Sequence, residues 1–474
     1  MTDKVSAHSK TTRRRVLQGA TASMALAGMP ASAFAQRSAG RPNILFILAD
    51  DLGYADISCY GARGYRTPVL DQLAAEGLLM THGYANSPVC SATRIALITG
   101  RYQYRLRAGL EEPIGGRESN VGLSPSVPTL PALLKGRGYR TALIGKWHMG
   151  WPPEYGAIRS GYDRFFGIAG GATNYFTHRG ADRNTAGGVP FNALYEGAAN
   201  IERPGYLTDL LADRAIEEIE AGVKAGQPTL VSLHFTAPHS PWQGPGDAVG
   251  AEAIRSNVQF DGGSLEKYGE MVVAMDRAIG RVLAALDRAG AAEDTIVVFT
   301  SDNGGERFSD TWPFSGGKRK LLEGGIRVPM IVRWPGRVKA GSRSSQVMIS
   351  MDWLPTLLEA AGAAPASVAP PDGMSLLKVI AGGAPAMPRK LYWRFKTDDQ
   401  AAVREGNWKY LRRRGREYLF NVAVDPRERA NLKGLNPGVF ERLKQDWAAW
   451  NATMLPYPKE SFSAGGEANS LADD

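Results

Sequence analysis

The segment 43–49, Asn-Ile-Leu-Phe-Ile-Leu-Ala, constrains the fold more than any other, because it is apolar from Ile44 onward and stops abruptly at Asp50-Asp51-Leu52-Gly53. A strand apolar at successive positions buries both of its faces, which is the condition of a parallel sheet lying between two layers of helices. The rest of the chain repeats that theme. Strands are predicted at 141–144, 229–235 and 295–300, and helices at 128–136, 207–221 and 265–289. A further helix is predicted after Thr67-Pro68, with Val69, Leu70, Leu73, Leu78 and Leu79 at helical spacing and proline near its start. Such alternation predicts an α/β fold, a large mixed but mostly parallel sheet sandwiched by helices.

After Gly362 the texture changes. Residues 363–373 are rich in Pro and Ala, and short strand-like pieces follow at 390–394, 401–404, 408–412 and 417–420, then a helical stretch at 437–450. This predicts a smaller C-terminal domain built on an antiparallel sheet. The expected division is 36–365 for the α/β domain and 366–474 for the small α+β domain, whose tail from 461 is Gly/Ser/Asp-rich and expected to be disordered. At 474 residues the chain is long enough for both, since single cores stop growing at roughly 250–300 residues.

Residues 1–35 stand apart. Thr12-Arg13-Arg14-Arg15-Val16-Leu17 carries paired arginines before a short Ala-rich apolar stretch, and Ala33-Phe34-Ala35 has the small-x-small form of a cleavage site. This is the pattern of a twin-arginine signal peptide, and it predicts a periplasmic or secreted protein. The apolar stretch is too short for a membrane anchor, and no later segment reaches ~18 continuous apolar residues. Removing 1–35 takes away five basic side chains and one acidic one, lowering the formal charge from +9 to +5. That balance favours small anions or anionic glycans. Nucleic acid is not expected as a partner, because the longest basic run, Arg412-Arg413-Arg414, lacks interleaved aromatic residues.

In open α/β sheets, ligands bind beyond the carboxyl ends of the strands. Asp50, Asp51, Lys146, His148, His239, Asp302 and Asn303 all fall just past predicted strands, so one shared site is expected. Each alone has an ordinary reading: Asp50-Asp51 as a helix cap, the lysines as solvated, the histidines as structural, Asp302-Asn303-Gly304 as a turn.

The segment 87–101, Ser-Pro-Val-Cys-Ser-Ala-Thr-Arg-Ile-Ala-Leu-Ile-Thr-Gly-Arg, adds a nucleophile. Pro88 disfavours helix just before Cys90 and an apolar helical stretch follows, so Cys90 is expected at a helix N-terminus, with Arg94 one turn on. The two cysteines of the chain, Cys59 and Cys90, also admit a disulfide in an oxidising compartment. Cys59 is read instead as a small buried hydrophobe.

Cys90-x-Ala92-x-Arg94 followed by Thr99-Gly100-Arg101 resembles the signature of the type I sulfatases of the alkaline-phosphatase-like superfamily, with Ala92 where most members have Pro. Asp50-Asp51, Gly145-Lys146-Trp147-His148, Ala237-Pro238-His239, Ser301-Asp302-Asn303-Gly304, Gly317-Lys318 with Glu323-Gly324-Gly325, and Tyr418-Leu419-Phe420-Asn421 with Asp425-Pro426 resemble further family segments, in the family's order. The resemblance implies a sulfuric ester hydrolase acting on aryl or carbohydrate sulfates. It implies that a formylglycine-generating enzyme oxidises Cys90 to formylglycine, whose hydrate supplies the attacking oxygen. It implies one Ca²⁺, with Mg²⁺ as the other option, held by Asp50, Asp51, Asp302, Asn303 and residue 90, an oxygen-donor set suited to hard cations.

Within that resemblance, Arg94, Lys146 and Lys318 are expected to stabilise the charge on the sulfuryl group. His239 is expected to assist the leaving alcohol, and His148 to take a proton from the hydrate so that sulfate is expelled. Two other readings stand beside it. One is a phosphonate monoester or phosphodiester hydrolase of the same superfamily, and the other a non-catalytic binder of sulfated glycans. The loops 167–188 and 242–263 are expected to select the leaving group, and Tyr175, Phe176 and Trp242 either stack on a ring there or pack. His178 is read as structural, with the substrate side as its alternative place.

Overall fold

The computed structural model describes residues 41–117, 120–181, 190–254 and 262–461. The signal segment 1–35 and the tail 462–474 lie outside the described residues. The main sheet runs in the spatial order Ser342–Ser344, Leu78–Met80, Met330–Arg333, Thr295–Ser301, Asn43–Ala49, Thr229–His234, Arg140–Gly145, Arg164–Ile168, Leu194–Glu196 and Ala199–Asn200. The five strands from Thr295–Ser301 to Arg164–Ile168 are parallel, and each side continues with an antiparallel neighbour. The sheet is therefore mixed and mostly parallel, as expected.

The predicted two-sided burial of 43–49 is visible residue by residue. Leu45 and Ile47 face a core shared with the helices Pro68–Ala75, Leu207–Ala225 and Leu265–Arg288. Ile44, Phe46 and Leu48 face the opposite core, with the helices Cys90–Thr99, Leu130–Lys135 and Trp353–Ala360. Side chains alternate across a strand, so an unbroken apolar run serves both layers.

Helical spacing misleads at one point. The helix ends at Ala75, and Leu78 and Leu79 belong to a strand paired with Met330–Arg333. A Cβ on Gly77 would stand 2.2 Å from the Val332 carbonyl oxygen, so the chain passes too close to its neighbour for a helix to continue. Strand pairing overrides local periodicity here.

The small C-terminal sheet is a meander of Lys390–Phe395, Gln400–Glu405, Trp408–Arg413 and Arg416–Asn421, each antiparallel to the next. One face packs on Phe440, Leu443 and Trp447 of the helix Pro437–Asn451. The other, through Trp393, Leu411 and Phe420, packs on Val89, Ala92 and Ala96. The Cys90 helix is thus held between two sheets, and all ten of its residues are buried. Among the described residues, no helix is long and apolar enough to cross a membrane.

Candidate active site

Parallel strands deliver their C-terminal ends to one edge, and backbone hydrogen bonds tie those ends together. The Asp50 amide donates to the Ala237 carbonyl (3.1 Å), the Asp302 amide to Ala49 (3.2 Å) and the Lys146 amide to His234 (2.8 Å). Gly145 has φ of +115°, and a Cβ there would lie 1.8 Å from the His234 carbonyl oxygen, so glycine is required where the chain turns Lys146 inward. Gly304 is needed for a similar reason, because a Cβ would meet the Gly324 carbonyl oxygen at 1.9 Å. That contact seats the Asp302-Asn303 turn on the Gly324-Gly325 segment. Asp51 and His148 have φ of +61° and +54°, conformations that a non-glycine residue keeps only when its surroundings impose them.

Cys90, Asp50, Asp51, Lys146, Lys318, Asn303, Arg94, Asp302 and His239 form one linked set of contacts. Cys90 is the first residue of its helix, and its Sγ lies 3.9 Å from Asp51 Oδ1. Asp50 Oδ2 accepts from Lys146 Nζ at 2.6 Å. Asp51 Oδ2 accepts from Lys318 Nζ at 2.6 Å and its Oδ1 from Asn303 Nδ2 at 2.7 Å. Arg94 donates through Nε and Nη2 to Asp302 Oδ2 at 2.9 and 2.8 Å, and through Nη1 to the Lys146 carbonyl at 2.9 Å. Asp302 Oδ1 accepts from the Asp51 amide at 3.2 Å.

The histidines are placed differently. His239 Nδ1 lies 2.6 Å from the Ser240 carbonyl, and its Nε2 lies 3.2 Å from Lys318 Nζ. Carbonyl and ammonium fix the tautomer: Nδ1–H donates to Ser240, and Nε2 accepts from Lys318. His148 Nε2 donates to the Ile114 carbonyl at 3.2 Å, which leaves Nδ1 buried, without a hydrogen-bond partner and carrying the lone pair. Burial, then the charges of Lys146 and Arg94, hold the His148 pKa well below the usual range. Burial and the Lys318 charge bring His239 down to about 4. Both rings are neutral at neutral pH.

The donor set suits a cation. Asp50, Asp51, Cys90 and His239 place ligand-type atoms all within 4.8 Å of one another. Asp50 Oδ1 and Asn303 Oδ1 are buried and have no hydrogen-bond partner. Burial, then the charge of Asp50, raises Asp302 to about 6, against the pull of Arg94. Burial also opposes the charge on Asp51, but Lys318, His239 and Lys146 outweigh it and hold that carboxyl well below the usual range. Crowded carboxylates with unused buried oxygens fit a hard divalent ion.

Other readings are settled by position. Cys59 and Cys90 are both free thiols. Tyr175 and Trp242 pack rather than line a ring-binding surface. The Tyr175 hydroxyl donates to the Thr236 and His239 carbonyls, at 2.7 and 2.9 Å, and Trp242 is buried edge-on against Phe308. Tyr175 thereby positions the His239 loop. His178 is buried, its carbonyl accepting from the Ala193 amide at 2.8 Å. The expected selectivity loops lie partly outside the described residues. Sequence reading missed Glu306, whose carboxylate is 3.8 Å from Lys318 Nζ; its place four residues after Asp302 was the available signal. It also missed the Ile114 carbonyl that orients His148, a main-chain atom with no signature in residue type.

Comparisons with known proteins agree with this arrangement. The Sulfatase family profile matches residues 42–363, and the profile described as N-sulphoglucosamine sulphohydrolase, C-terminal, matches 314–445. The chain is 32% identical to human N-acetylgalactosamine-6-sulfatase over 390 residues, covering 78% of this chain and 71% of that one. It is 30% identical to mouse arylsulfatase J over 476 residues, covering 88% and 77%. The crystal structure of Ps i-CgsB, also solved in complex with k-i-k-neocarrahexaose, superposes with a TM-score of 0.80 at 29% identity over 90% of this chain and 95% of that one. With the strand-end carboxylates, the helix-borne cysteine and three converging cations in one pocket, the chain belongs to the sulfatase family, the hydrolases of sulfate esters.

Proposed function

We propose that this sulfatase works through an aldehyde made from Cys90 by a formylglycine-generating enzyme, with one Ca²⁺ (Mg²⁺ as the alternative) and a carbohydrate or aryl sulfate as substrate. The observation that carries this reading is the state of Cys90. Burial pushes its thiol pKa far above neutrality despite the nearby charges of Lys146 and Lys318. A thiol held protonated at a helix N-terminus is a poor nucleophile, whereas the site around it is built for an anion. Residue 90 therefore makes chemical sense as a precursor.

The contacts support the following roles. Asp50, Asp51, Asp302 and Asn303, with residue 90, would hold the cation, which when bound polarises a sulfate oxygen. Arg94 is locked by Asp302 and orients that carboxylate. Lys146 and Lys318 place two ammonium groups at the pocket for the sulfuryl charge. The Asp51 carboxylate overcomes burial to hold Lys318 well above its ordinary pKa, so it stays charged. His239, 3.2 Å from the charged Lys318, assists the departing ester oxygen, and the Nδ1 lone pair of His148 accepts the proton whose removal completes turnover. The signal pattern at 1–35 supports twin-arginine export to the periplasm or beyond. The chain would then comprise that leader, the catalytic domain 36–365 and the small domain 366–474. The oligosaccharide complex of the Ps i-CgsB relative supports a glycan over a simple aryl ester.

The test is mass spectrometry of the peptide containing residue 90, from protein produced with a formylglycine-generating enzyme. The expected result is an aldehyde or its hydrate in protein that turns over a sulfate ester. Active protein with an unmodified Cys90, or with a Cys59–Cys90 disulfide, overturns the reading.

A further inference from the structure

A cleft of about 1170 Å³ lies between residues 305–322 and the last two strands of the small sheet, and Gly317, the sequence neighbour of Lys318, lines it. That is more than the roughly 300–1,000 Å³ of an ordinary small-molecule site. Six cationic residues line it: Arg307, Lys320, Arg413, Arg414, Arg416 and Arg427. Its two carboxylates do little to balance them. Glu428 turns inward to Lys409, 2.9 Å away, and Glu306 lies 3.8 Å from Lys318. Arg413 and Arg414 both reach Asp398. Among the described residues, Arg416 and Arg427 have no carboxylate within ion-pair distance, and both are exposed.

Aromatic faces accompany the charge. Tyr418 stacks on Phe420 at 5.7 Å, and both line the cleft with Phe314. At the rim Trp312 is 52% exposed, with the Arg427 guanidinium 5.5 Å from its ring centroid. Flat apolar faces beside guanidinium groups suit a sugar that carries an anionic substituent. An aryl or steroid leaving group has no second charge for so many cations.

We propose that this cleft is a subsite for a second anionic group, a sulfate or a carboxylate, on the same glycan as the ester being cleaved. The substrate is then an oligo- or polysaccharide with at least two anionic groups. This rests on the sulfate-ester reading of the neighbouring pocket and adds to it. Glu306 joins the two places, since it lines the cleft and stands beside Lys318, and the Lys318 amide donates to the Gly305 carbonyl at 2.9 Å. The basic stretch Arg412-Arg413-Arg414, which has no nucleic-acid character, contributes Arg413 and Arg414 to this wall.

The experiment uses the matured full-length enzyme, the double variant Arg416→Glu/Arg427→Glu and the milder Arg416→Gln. Substrates are 4-nitrophenyl sulfate and three tetrasaccharides matched in sugar sequence, carrying one sulfate, two sulfates, or one sulfate and one uronate. For the wild type, KM should fall about tenfold when the second anion is added, the effect of one retained ion contact. Added salt should erase that gain, because the contact is exposed. The sulfate and uronate arms decide which anion is preferred. The double variant should lose the preference between two-anion and one-anion tetrasaccharides, and Arg416→Gln should reduce it, with unchanged melting temperatures. A preference of the same size in wild type and double variant overturns the subsite. A separate titration of the three tetrasaccharides against Cys90→Ala reads binding without turnover. If no sulfate ester is hydrolysed by matured wild type, the catalytic reading fails. The titration then still upholds the subsite if the second anion tightens binding tenfold, and rejects it if not.

Discussion

Two of the buried charge clusters among the described residues use their acceptors differently. The first is the catalytic pocket. The second is at the seam between the main fold and the small sheet, where Glu323 accepts from Lys409 at 3.0 Å through Oε1 and from the Tyr84 hydroxyl at 2.7 Å through Oε2. Arg327 lies 3.3 Å from the same Oε2, and Glu428 Oε2 accepts from the Glu323 amide at 2.6 Å. At the seam both oxygens of Glu323 are used, so the network closes at that carboxylate, although Arg404, buried over the Tyr84 ring, keeps Nε and Nη1 without hydrogen-bond partners. In the pocket Asp50 Oδ1 and Asn303 Oδ1 accept no hydrogen bond, Asp50 Oδ1 meeting only Arg94 Nη2 at 3.8 Å, and His148 Nδ1 has no partner. Acceptors filled by neighbouring cations join parts of a fold, whereas buried acceptors with spare valence are held ready for something else.

The comparison can be broken from either side. The largest effect belongs to Cys90→Ala, which should abolish turnover of every sulfate ester while the circular dichroism spectrum stays native. Next comes Asp302→Ala, which should release the divalent ion, seen by elemental analysis, along with nearly all activity. Stoichiometric zinc in the native enzyme would contradict the oxygen-donor assignment. The histidines sharpen the roles inside the pocket. His239→Ala should slow an alkyl or sugar sulfate by ~10²–10⁴-fold and an activated nitrophenyl sulfate far less. His148→Ala should slow both to a similar rate, with an initial burst of alcohol. Equal sensitivity of His239→Ala to the two leaving groups would refute the division of labour.

At the seam, stability should change in place of chemistry. Lys409→Met leaves Arg327 as the one ion-pair partner of Glu323 and takes the cation from Glu428, a change expected to cost about 3–5 kcal/mol by denaturant unfolding. Activity should persist in the folded fraction. If the melting temperature is unmoved, the seam is not the closed network described.

The smallest expected effect is a pH dependence of stability. Burial, then the Glu323 charge, raises Glu428 from 4.5 to about 7, while Lys409 opposes the rise. Between those values the folded state keeps a proton that the unfolded chain releases, so this group favours folding less as pH rises through the window. Glu323 has the opposite sign. Lys409 and Arg327 overcome its burial and bring it to about 2, so its contribution is present above pH 4.5 and is lost as pH falls toward 2. Glu428→Gln should flatten the fall in unfolding free energy between about pH 5 and 7. An unchanged slope in that variant would remove Glu428 as its source.

What the sequence determined by itself is everything written in local pattern and order. The run 44–49 has to be buried on both faces, and Asp50, Lys146, His239 and Asp302 follow apolar strands or their ends, so a parallel sheet collects them at one edge without further instruction. Cys90 is marked by Pro88 before it and Arg94 after it. Only the tertiary structure decided which groups meet. That Lys146 pairs with Asp50 while Lys318 pairs with Asp51, that Arg94 clasps Asp302, and that a main-chain carbonyl at Ile114 turns His148 are matters of distance across the fold. Leu78 and Leu79 became a strand because Met330–Arg333 and Ser342–Ser344 lie on either side of them, not because of their own spacing. Arg413, Arg414, Arg416 and Arg427 read as surface charge until the small sheet sets them opposite 305–322. Local pattern is fixed by side-chain periodicity within one element; long-range pairing depends on where separate elements pack, and no short window contains that.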